Sequence, residues 1–115
     1  MNNFRELIVW QKSVDLAVNI YEITRKFPES ERYNLTSQMQ RCGTSIASNI
    51  AEGAGRNSAA YFKQFLTVAL GSAYELETQL VISKKLNYVN SEVYSKLVKD
   101  ITEVQRMVFG LHGTL

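Results

Sequence analysis

Proline occurs once in these 115 residues, at Pro28, and no glycine precedes Gly43. Proline costs about 3 kcal/mol and glycine about 1 kcal/mol relative to alanine inside a helix, so these residues punctuate helices more effectively than any others. With both scarce, long runs of good helix formers continue unbroken, and the chain reads as all-α. The apolar residues divide it into four periodic segments, and the expected fold is an antiparallel up-down-up-down four-helix bundle. Residues 1–115 are expected to form one domain, with no internal repeat, low-complexity tract or linker.

The first segment runs from about Leu7 to Lys26 and carries two apolar stripes, Trp10, Val14, Ala17, Tyr21, Thr24 and Leu16, Ile20, Ile23, Phe27. Two stripes on one helix imply more than one neighbour. Phe27-Pro28 ends it, because a residue before proline is pushed out of the α region. The second helix begins between Ser30 and Leu35 and reaches about Glu52, with Leu35, Met39, Cys42, Ile46 and Ile50 inward; Gly53 and Gly55 are expected to break it. Ser58 suits the N-cap of a third and longest helix, to about Leu86, buried through Phe62, Phe65, Leu66, Ala69, Ala73, Leu76 and Leu80. Asn87 is a left-handed terminator, and Asn90 or Ser91 caps a fourth helix with Tyr94, Leu97, Val98, Ile101, Val104, Val108 and Leu111 inward and an end frayed by Gly110 and Gly113.

Function classes narrow less than fold classes. No apolar run is long enough to cross a bilayer, and the N-terminus lacks the layout of a signal peptide. Cys42 has no disulfide partner, and no Cys/His cluster has metal-ligand spacing, so no metal or other cofactor is expected. These features point to the cytoplasm and to no membrane partner. The formal charge of +2 neither demands nor forbids a nucleic-acid partner, since cations act when they gather on one face or when copies assemble. Most basic residues have acids nearby: Asp15 follows Lys12, Glu22 precedes Arg25 and Lys26, and Glu103 lies four after Lys99. Arg41, Arg56 and Lys63 stand out as the candidate nucleic-acid-binding set, with only Glu52 in their neighbourhood. Trp10, Tyr21 and Tyr94 belong to the apolar stripes, Tyr33, Tyr74 and Tyr88 are less committed, and the lone His112 sits near the end, where exposure is expected.

The segment Ser45-Ile46-Ala47-Ser48-Asn49-Ile50-Ala51-Glu52-Gly53-Ala54-Gly55-Arg56 carries the most specific signal. One reading is structural. Asn49 and Glu52 bond to backbone groups freed between the second and third helices, Arg56 pairs with Glu52 four residues earlier, and Gly53 and Gly55 turn the chain. The other reading presents Asn49, Glu52 and Arg56 to RNA or to a partner. Catalysis ranks last, because no paired carboxylate, activated nucleophile or ligand set accompanies them, and the chain is not expected to be an enzyme. Small residues (Thr44, Ala47, Ser48, Ala51 and Ala69, Gly71, Ser72, Ala73) imply close helix approach, either within the subunit or between subunits.

This segment, with Leu7-Ile8-Val9-Trp10-Gln11-Lys12 before it and the run from Phe65 to Leu80 after it, resembles the four-helix-bundle proteins encoded by intervening sequences inside bacterial 23S ribosomal RNA genes. The resemblance implies a homopentamer of four-helix subunits. It extends to a branch that looks like the accessory protein of diversity-generating retroelements, which works with nucleic acid through a basic surface; the dense basic clusters of that branch are missing here. The resemblance and the Arg41, Arg56, Lys63 set together imply an oligomeric adaptor associated with RNA or DNA. The alternative is a scaffold for a protein partner.

Overall fold

The computed structural model describes residues 3–115; the first two residues of the expected 1–115 unit lie outside it. Among the described residues there are four α-helices: α1 (Ile8–Thr24), α2 (Leu35–Gly55), α3 (Ala59–Lys85) and α4 (Ser91–Gly113). Short 3-10 turns at Phe4–Glu6 and Glu29–Glu31 precede α1 and α2. Helix α2 packs on α1 and α3, and α3 packs on α4, while α1 meets α4 along a looser seam. The connections are short, so neighbours run antiparallel in an elongated bundle of 43 × 24 × 20 Å.

One apolar core threads the bundle. Leu16 and Ile20 of α1, Met39, Ile46 and Ile50 of α2, Leu66, Leu76 and Leu80 of α3, and Ile101, Val104 and Val108 of α4 are almost fully buried. The stripes expected for α2, α3 and α4 are therefore the core-facing ones. On α1 both stripes contribute to the core: Leu16 and Ile20 from one, Ala17 and Thr24 from the other, with Phe27 buried just past the helix end, while Val14 is half-buried and Tyr21 is exposed.

The helix ends follow local chemistry. Ser58 Oγ accepts from the Tyr61 N–H at 3.4 Å, and Asn90 Oδ1 accepts from the Val93 N–H at 2.8 Å, so both expected caps are present. Asn87 is left-handed at φ 65°, terminating α3 as expected. The Tyr88 ring then packs on Phe27, 5.2 Å between centroids, and its hydroxyl donates to Glu31 at 2.9 Å. These contacts tie the α3–α4 link to the α1–α2 link across one end of the bundle.

The glycines correct several expectations. Gly53 and Gly55 do not break α2, which continues through both, and neither has positive φ. Gly53 is buried, and a Cβ there would stand 2.7 Å from Phe65 Cβ. Its role is to let α3 approach. The chain turns only at Arg56, in extended conformation (φ −81°, ψ 142°), so most of the signature is helix rather than link. Gly110 lies inside α4, which runs on to end at Gly113. Gly71 sits mid-α3 with open space where a Cβ would be, so no close contact within the subunit accounts for it.

Candidate functional site

The signature residues occupy the last three turns of α2 and bind that helix to α3. Asn49 Nδ2 donates to the Ser45 carbonyl at 2.8 Å and to Ser45 Oγ at 3.0 Å. Ser45 Oγ and Ser72 Oγ of α3 share a hydrogen bond of 2.9 Å. Asn49 thus caps a hydroxyl relay across the seam, one turn up its own helix, instead of meeting backbone freed at the helix junction. The physical reason is that α2 continues past Asn49, so no free backbone groups stand near it.

Glu52 pairs with Arg56 at 3.6 Å, as their spacing implies. Among the described residues Glu52 accepts no hydrogen bond from the start of α3; the two helix ends are joined through Arg56 instead. Its guanidinium lies over the rings of Phe65, 5.3 Å from the centroid, and Tyr61, 5.7 Å. The same arginine therefore closes an ion pair on α2 and a cation–π contact on α3.

The three candidate cations are not brought together as one patch. Arg56 and Lys63 share the α2–α3 end of the bundle, Lys63 half-buried in the second turn of α3. Arg41 stands fifteen residues up α2, about 22 Å away at 1.5 Å per residue. It is exposed and lines a groove between α2 and α3 with Tyr33, Ser37, Cys42, Ser45, Ser72 and Glu75. The sequence places Ser45 only in the signature and Ser72 only among the small residues, and it singles out neither Glu75 nor Gln79. Their signal was available: Ser72, Glu75, Gln79 and Ser83 recur at helical spacing beside the apolar stripe of α3.

Cys42 belongs to the floor of this groove. Burial and the neighbouring Glu75 carboxylate push its thiol up to about 11, which makes it inert at neutral pH, as its place on the apolar stripe implied. His112 is half-buried rather than exposed. A second, charged cleft lies on the α1–α4 seam, where Lys12 and Glu103 pair at 3.2 Å and Lys96 and Asp100 at 2.9 Å. Glu103 thus finds a partner across the bundle, not Lys99 of its own helix.

The family model for the 23S rRNA-intervening sequence protein matches residues 5–110. The chain belongs to that family. A crystal structure from Bacteroides thetaiotaomicron, described as a protein with unknown function from the S23 ribosomal protein family, is similar at 29% identity and a TM-score of 0.86. The similarity covers 92% of this chain and 96% of that one. The comparison with curated proteins returns no match. Among the described residues no helix is long and apolar enough to cross a membrane.

Proposed function

We propose that this family member is a non-enzymatic adaptor that assembles with copies of itself, as a homopentamer, and holds nucleic acid, RNA foremost, on the assembled surface. The observation that carries the reading is an exposed apolar face of α1 around Val18 and Tyr21. Val18 is 53% exposed and Tyr21 40%, and with Val14 and Ala17 they border an apolar groove completed by Ala47 of α2. Such a face, left uncovered by the subunit's own helices, suits burial against another copy. Open space above Gly71 on α3, diagonally across the bundle from α1, supports a second and different contact face. Two unlike faces are what a closed ring requires.

Nucleic-acid association rests on the family's name and on Arg41, Arg56 and Lys63, with repetition around a ring supplying the charge density that one weakly basic subunit lacks. Fluorescence anisotropy with labelled structured RNA and duplex DNA across a salt series, with the mass determined on the same sample, tests it. Binding that falls steeply with salt, by a pentamer, is the expected result. A pentamer without affinity for either nucleic acid would leave the protein-scaffold reading. That second reading is favoured by one observation, the commitment of Arg56 to Glu52, Tyr61 and Phe65 within the subunit.

A further inference from the structure

The α2–α3 groove differs from the α1–α4 cleft in its charge state. In the cleft, cations and anions are already paired: Lys12 with Glu103, Lys96 with Asp100. In the groove, Arg41 and Glu75 carry opposite charges on facing helices, and among the described residues neither forms an ion pair. Their level is fixed by the Ser45–Ser72 hydrogen bond of 2.9 Å. In antiparallel helices, one turn back from Ser45 on α2, at Arg41 and Cys42, stands level with one turn on from Ser72 on α3, at Glu75. The effect of the Glu75 carboxylate on the Cys42 thiol agrees with that register.

The groove between the two charges is open to solvent along one side and has a volume of about 550 Å³. Ser37, Thr44, Ser45, Ser48 and Ser72 line its walls. Gln79 adjoins Cys42 behind the groove and does not line it; only 5% of it is exposed.

We propose that this groove binds a small zwitterion of the α-amino-acid class, its carboxylate on Arg41 and its ammonium on Glu75, with the serine hydroxyls taking its remaining polar atoms. Guanidinium–carboxylate and ammonium–carboxylate hydrogen bonds are charge-assisted, and together they demand both ends of one ligand. The site shares Arg41 with the nucleic-acid set, while Glu75 belongs to it alone, so Glu75→Gln separates the two readings.

Isothermal titration calorimetry of the full chain with L-alanine, and with acetate and methylamine as the separate ends, tests the proposal. Saturable binding of L-alanine is expected, at least about tenfold tighter than either end alone, because each end forfeits one charge-assisted contact. Arg41→Met and Glu75→Gln, both on exposed side chains, are each expected to weaken L-alanine binding by about tenfold without lowering the thermal midpoint. No heat of binding with L-alanine, acetate binding as tightly as L-alanine, or undiminished affinity in both variants would overturn it. The comparison of the three probes on the unmodified chain stands even if a variant does not fold.

Discussion

Glycine at position 53 and glycine at position 71 do opposite things, and the difference is steric. Gly53 touches Phe62 and Phe65, so an added methyl forces α2 away from α3; Gly71 has nothing above it. Gly53→Ala is expected to destabilise the chain by about 1–3 kcal/mol, as overpacking does. Gly71→Ala is expected to stabilise the isolated subunit by up to about 1 kcal/mol, from helix propensity. Urea denaturation of both variants checks the pair. If Gly71→Ala also lowers the mass in solution, the open space above it is a contact between copies. Cys42 makes a separate test. Its thiol is raised from 9.0 to about 11, so the folded state favours the protonated form. That contribution is complete below pH 9 and is lost as pH rises from there toward 11. Alkylation by iodoacetamide at pH 8 is expected to be slow on the native chain and fast in urea.

Helix boundaries were readable where a side chain sets them and misread where packing does. Ser58, Asn87 and Asn90 act within one turn of themselves, so their identities are sufficient. Gly53 stays helical because its packing on Phe62 and Phe65 outweighs a propensity cost of about 1 kcal/mol, Gly110 is carried by the helix formers around it, and Gly55 and Gly113 are the last residues of their helices. Asn87→Val places a β-branched residue at φ 65° and is expected to cost about 1–2 kcal/mol, while Asn87→Gly is nearly neutral; thermal melts distinguish them. The polar seam follows the same division. That Asn49 must be hydrogen-bonded was legible from its place beside an apolar stripe. That its partner is Ser45, which in turn reaches Ser72, needed α3 laid against α2.

At the scale of the molecule, the exposed apolar face of α1 around Val18 and Tyr21 is the feature that a single subunit does not explain. If copies assemble through this face as proposed, Val18→Glu is expected to give smaller species in light scattering while leaving the fold intact, because Val18 is already 53% exposed in the subunit. A subunit that unfolds instead would place Val18 in the core and remove the argument for a second contact face there.

Sequence alone sufficed for the helical class, the four segments, their inward stripes and three of their caps, because periodicity and capping are local properties of neighbouring residues. The family signature was also legible, since it is a matter of residue order. Tertiary structure alone decided which residues of each α1 stripe are core, why Gly53 is glycine, where Arg56 spends its charge, and that Arg41 stands about 22 Å from it. Each of these depends on which helix lies against which, and at what register. A stripe says that a face is covered; it does not say by what.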